Sequence, residues 1–183
     1  MSTKKSTVKK AVIKKASGQA AAAPLMMAAF QAPDGSMITM QGILAIDTDG
    51  IGDPHKDPDH QNETSAKLDK NGKFVPKSDP TGVRFLNADK DEYSVAPKNL
   101  AVVNGGHLKL GDLTTVILPN GTTHTAPIGD FGPAHQAGEF SLAAVQNSGV
   151  QILFTKKGPI PTLDGPNASD IHVTVTFIPN SAP

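Results

Sequence analysis

Two carboxylates, Asp130 and Glu139, stand in the stretch I-G-D-F-G-P-A-H-Q-A-G-E-F-S, framed by Gly129, Gly132, Pro133 and Gly138. Glycine reaches backbone conformations closed to other residues, and proline fixes one dihedral, so such a frame can aim a polar side chain. Two acids directed into one cleft can act as general acid and general base, the requirement for cleaving a glycosidic bond. Either residue alone has a plainer use, since an Asp after Gly caps turn amides and a Glu in a first helical turn complements the helix dipole.

The elements around the pair follow from pattern. Thr114 to Leu118 and Thr122 to Ile128 are joined by Pro119-Asn120-Gly121, a hairpin that delivers the chain to Asp130 at a strand end. Phe140, Ala143 and Ala144 repeat with helical spacing and Gly149 ends the run, which places Glu139 in the first turn of a short helix. Ile171, Val173, Val175 and Phe177 alternate with polar residues as a half-buried strand does. Shorter strands are expected at 40–45, 83–86, 93–96 and 151–155. A further pair, 100–103 and 108–110, would flank the turn Asn104-Gly105-Gly106, and a loop would run from 156 to 170.

With 183 residues, 17 glycines, 15 prolines, one tyrosine and no tryptophan, the chain suits one domain of short strands and many turns. The absence of cysteine excludes disulfides, thiolate metal sites and thiol catalysis. No stretch reaches the length of a membrane helix. Six of the 17 basic residues are lysines within the first fifteen positions. Without them 11 basic residues face 17 acidic ones, so the remainder attracts cations and repels nucleic acid. Residues 1–35 read as a disordered Lys-rich leader, 36–179 as the folded domain and 180–183 as a tail. The alanine-rich run at 20–30, broken by Pro24, makes a poor export signal and leaves localisation open.

Other constellations carry less. Asp47, Asp49 and Asp53 lack an oxygen ligand at Ile51, where a calcium loop needs one. His55, Asp57, Asp59 and His60 match no standard zinc spacing. Ser141 sits in no nucleophile elbow and is expected to bond locally, and His135 reads as a surface histidine between the two acids.

The block G-D-F-G-P-(x)4-G-E-x-S resembles the signature of the family 75 glycoside hydrolases, the fungal-type chitosanases. The likeness extends over roughly residues 40 to 178. I-L-A-I-D-T-D-G at 43–50 is similar to an early D-x-D-x-D-G element, with Ala45 in place of the first Asp. Gln61 and Thr64 match a Gln/Thr element, and F-L-N-A-D-K-D-E-Y-S-V-A-P at 85–97 resembles a further segment with Asn87 in place of Asp. This resemblance implies hydrolysis of β-1,4-linked glucosamine chains, endo-acting and with inversion, with Asp130 and Glu139 as the catalytic pair. Asp47, Asp49, Gln61 and Thr64 are then expected to bind the polysaccharide. A helix N-terminus would keep Glu139 ionised as base and leave Asp130 as acid. A mainly β fold is expected, a small six-stranded, double-psi-like β-barrel with a short helix. The expected protein is a monomer that uses no metal and no cofactor. The alternatives from other classes are a peptidoglycan-cleaving hydrolase or lytic transglycosylase, and a non-catalytic glycan-binding barrel.

Overall fold

In a computed structural model, residues 30–31, 37–57, 64–163 and 170–179 are described. The fold is mainly β with one short helix, and its principal sheet curls into a half-barrel. In chain order the strands of that sheet are β1 (Phe30–Gln31), β2 (Ile38–Ile43), β3 (Ala45–Asp47), β7 (Ser94–Pro97), β8 (Leu113–Ile117), β9 (Thr123–Gly132), β10 (Glu139–Ser141) and β13 (His172–Ile178). They lie in the order β1-β2-β13-β8-β9-β7-β10-β3, eight strands where six were expected. A second sheet of three strands, β4 (Ala66–Asp69), β5 (Phe74–Pro76) and β6 (Gly82–Phe85), is ordered β5-β4-β6, and β11 (Gln151–Thr155) pairs with β12 (Gly158–Thr162).

Period-two alternation explains the core. Val173, Val175 and Phe177 of β13 are buried, as are Ile38 and Met40 of β2 and Val116 of β8, all on the inner face of the curl. Burying each such side chain contributes about 1.5–3 kcal/mol. The hairpin at Pro119-Asn120-Gly121 forms as expected, with β8 and β9 antiparallel and Gly121 at φ 82°. A smaller cluster of Ala66, Leu86, Ala88, Tyr93 and Val95 lies on the other face of β7, beneath the three-stranded sheet.

The structure departs from the sequence expectations at four places. Phe30 and Gln31, inside the expected leader, pair antiparallel with Thr39 and Ile38. The other residues of that leader, and the tail 180–183, lie outside the described residues. Segments 100–103 and 108–110 do not form a hairpin. Two single-turn 3-10 helices, Lys98–Leu100 and Val102–Asn104, take their place, with a lone parallel bridge from Ala101 to Leu108. The expected loop after Thr155 contains β12, although Pro159 and Pro161 interrupt its donors; it pairs with β11 alone, and prolines are tolerated in such an edge strand.

The fourth departure concerns Glu139. Glu139–Ser141 is strand β10, and the helix α1 (Leu142–Asn147) starts only after it, capped by Ser141. Ser141 Oγ accepts from Ala144 N at 3.2 Å and from Tyr93 N at 3.0 Å, while its own amide donates to Tyr93 O. The local bonding expected of Ser141 is thus present, and it ties the helix cap to β7. Ser141→Ala removes a cap and a buried acceptor together, each worth roughly 1–2 kcal/mol. Equilibrium denaturation should show a loss of about 2–3 kcal/mol for this variant.

Candidate active site

Strand register brings the two motif acids into one row. Glu139 on β10 is level with Ala45 on β3, and the pairing of Phe140 with Ser94 sets it opposite Val95 on β7. Val95 is in turn level with Asp130 on β9. Residues level across a sheet share a face, and adjacent strands lie about 4.8 Å apart, so Glu139 and Asp130 flank Val95 with Cα atoms about 9.6 Å apart.

The glycines of the motif open the space. A Cβ on Gly132 would stand 2.8 Å from Val95 Cγ1 and 3.4 Å from Glu139 Oε2, so the Glu139 carboxylate lies over the bare backbone of β9. A Cβ on Gly129 would stand 2.6 Å from the Cβ and Cγ of Tyr93. Gly132→Ala should therefore displace Val95, which stands between the two acids, and lower activity while the fold survives, since the end of that side chain can shift. Parallel measurements of turnover and thermal unfolding test this; equal losses in both would mean that Gly132 serves only packing.

The environments of the two acids differ. Asp130 Oδ1 accepts from Ser65 N at 2.8 Å and from its own neighbour Phe131 N at 2.7 Å. These two bonds fix the direction of the Asp130 carboxyl. For Glu139, burial first, then the charges of Asp47 and Asp130, push the carboxyl up to about 7.

Below the pair lies a second pair of acids. Asp47 is buried at 4% exposure and its Oδ1 accepts from Asp49 N at 3.0 Å. Its pKa is raised, by burial above all, with Asp130 adding repulsion. The Tyr93 hydroxyl lies close enough to favour the Asp47 anion, yet neither it nor Asp47 Oδ2 has a partner in good hydrogen-bond geometry. Burial of Tyr93 near Asp47 raises the phenol well above its ordinary range. Asp49 is pushed up to about 7 by burial and by Asp47, Asp130, Glu139 and Asp57. One carboxylate oxygen each from Asp47, Asp49 and Asp130 lie within 4.8 Å of one another, the only grouping of this kind among the described residues. These three could hold a small cation.

The remaining expected residues fare differently. Thr64 is fully buried and its hydroxyl donates to Ala66 O at 2.6 Å, so it braces the start of β4 rather than facing substrate. Gln61 lies outside the described residues. Asp47 is too deeply buried to meet a polymer at the surface and acts instead on its neighbouring acids. His135 is exposed, with φ 64° and its amide bonded to Asn99 Oδ1, as a surface residue. Tyr93 and Val95, within the 85–97 segment, and Ser65, beside Thr64, belong to the stretches that carry the resemblance but were given no role in the site; strand register alone could have suggested Val95. No protein-family model matches this chain, and no curated protein matches it significantly. No helix among the described residues is long and apolar enough to cross a membrane.

Proposed function

We propose that the chain is an inverting glycoside hydrolase acting on β-1,4-linked amino-sugar chains, with chitosan as the substrate that the 128–141 motif suggests. The observation that carries this reading is the asymmetry of the two acids in one cross-strand row. Glu139, raised to about 7, holds its proton near neutrality, whereas Asp130 has one oxygen occupied by two backbone amides and the other left for water. A carboxyl raised towards neutrality is suited to the acid's part of such a pair. Glu139 then protonates the leaving oxygen, and Asp130, through its second oxygen, takes a proton from the water that attacks the anomeric carbon. This reverses the assignment expected from a helical Glu139, because Glu139 lies on a strand with no helix N-terminus to hold its charge. Two strand spacings of about 9.6 Å between Cα atoms leave room for carboxyls about 6.5–9.5 Å apart, the span of inverting pairs.

The summed charge of Asp47, Asp49 and Asp130, grouped within 4.8 Å, favours a cationic sugar over a neutral one in the cleft. The parallel pairings β7–β9 and β10–β3 support a double-psi-like winding of the half-barrel. Proton NMR of a fresh chitosan-oligomer digest tests the mechanism: inversion of a β-linkage releases the α-anomer first. A first-formed β-anomer, or no hydrolysis, sinks the two-acid inverting reading.

A further inference from the structure

Three carboxylates from two distant segments meet beneath the cleft: Asp47 at the end of β3, Asp49 in the turn after it, and Asp130 on β9. As a local run, Asp47, Asp49 and Asp53 fail as a calcium loop at Ile51, but Asp130 brings a third oxygen from another strand. Backbone bonds hold each residue in place. Asp49 N donates to Asp47 Oδ1 and Ala88 N to Asp49 O, both at 3.0 Å, while Ser65 N and Phe131 N donate to Asp130 Oδ1. What these bonds leave over points to a ligand. Asp49 is 9% exposed, its Oδ1 is sealed from solvent, and no protein donor reaches that atom. Its side chain is turned into the group, with an oxygen within 4.8 Å of one from Asp47 and one from Asp130. The charges acting most strongly on Asp49 all belong to acids: Asp47, Asp130, Glu139 and Asp57. A buried carboxylate is costly without a donor or a counter-charge, and Asp49 has neither of these in hand.

We propose that Asp47, Asp49 and Asp130 form a calcium site, with water from the cleft completing the shell, and that the bound ion holds the base inactive. The site itself does not depend on the hydrolase reading; its effect on turnover rests on that reading. Carboxylate oxygens suit a hard cation rather than the metals that seek thiolate or imidazole. Oxygens on one calcium ion, bound at about 2.3–2.6 Å, stand at most about 4.6–5.2 Å apart, whereas on magnesium, at about 2.0–2.1 Å, the limit is about 4.2 Å. Three oxygens within 4.8 Å of one another fit the larger ion without rearrangement. The ion would take the second oxygen of Asp130, the one that must accept a proton from the attacking water, and it would compete with a cationic sugar for the same charge.

Tyr93 makes the test specific. It is the only tyrosine, the chain has no tryptophan, and its hydroxyl lies beside Asp47. Terbium shares calcium's preference for oxygen ligands and luminesces when an excited aromatic ring close by passes energy to it. Tyrosine excitation of the full chain with terbium should give sensitised emission that calcium displaces. Asp49→Asn keeps the side-chain shape and removes one ligand charge, so it should lose the emission at the terbium concentration that saturates the wild type. A neutral group among acids should leave this variant at least as heat-resistant as the wild type in a chelating buffer, which separates a lost site from a lost fold. Calcium at about 100 times its dissociation constant should raise the wild-type ratio of folded to unfolded chain about 100-fold and leave the variant unmoved. No emission from the wild type, or equal emission from Asp49→Asn, overturns the site; water, or a proton shared by Asp47 and Asp49, then satisfies the buried oxygens. The two readings fail separately. Emission with no polymer cleaved even in chelator keeps the site and removes the hydrolase, whereas chitosan cleaved in chelator with no emission removes the site alone. Turnover that calcium raises rather than suppresses overturns the inhibitory part of the proposal and removes Asp130 as the base.

Discussion

Glu139→Gln should reduce turnover about 10²–10⁴-fold, the usual contribution of a general acid or base, and Asp130→Asn should do the same. The two losses are expected to differ in what accompanies them. Glu139 is repelled by Asp47 and Asp130 as well as buried, so the neutral amide should make the protein more resistant to heat above pH 7. Asp130 receives two backbone amides, and an asparagine that keeps its oxygen towards them should unfold near the wild-type temperature. A substrate with a good leaving group, which needs no protonation, should restore much of the Glu139→Gln rate and little of the Asp130→Asn rate. Rescue of Asp130→Asn instead would exchange the two roles, and near-normal turnover in either variant would remove the site.

The second large effect is on pH. Glu139 works as an acid only while protonated, so kcat/KM should hold to near neutrality and fall as pH rises through about 7. The same raised pKa fixes the sign of the stability change. A carboxyl raised in the folded state binds its proton more tightly there than in the unfolded chain. Stability is then greatest below the ordinary value of 4.5 and is lost as pH rises through about 7, and Asp49, raised to about 7, acts in the same direction. Asp47→Asn removes a charge that raises both groups, so the alkaline limb of the rate profile should move to lower pH. Its amide can still accept from Asp49 N and can donate towards the Tyr93 hydroxyl. Melting temperature at pH 8 should rise by about 2–4 °C for each kcal/mol of repulsion relieved, with little change at pH 4. An alkaline limb that stays put in Asp47→Asn would show that burial alone sets Glu139.

Much of this arrangement was readable from residue types. The alternation of Val173, Val175 and Phe177, the Pro119-Asn120-Gly121 turn and the stop at Gly149 are local signals, and each appears where its pattern puts it. Glu139 was misplaced because the apolar spacing that marks α1 begins one turn too early: Phe140 belongs to the strand and faces the inner core, while the helix starts behind Ser141. That single shift changes the electrostatics of the site, since a strand offers no dipole to hold a carboxylate. Thr64 and Asp47 were expected to bind substrate because the resemblance implies it. Thr64, just before β4, and Asp47, at the end of β3, are buried by segments distant in the chain, which no window of sequence contains. The row Ala45–Glu139–Val95–Asp130 is likewise a product of register between strands far apart in the chain.

Strand order also bears on synthesis. β13, residues His172–Ile178, lies inside the sheet with β2 on one side and β8 on the other. Until it has left the ribosome, β2 and β8 have no partner between them and expose the apolar faces of Met40 and Val116. The nascent chain therefore carries its acid cluster and two strands paired on one edge only through the last part of translation, and the half-barrel closes only after the last strand is free. A stop codon before residue 170 should yield an insoluble product rather than a weakened enzyme, and a helper that shields strand edges would raise the yield of the whole chain more than that of any internal variant.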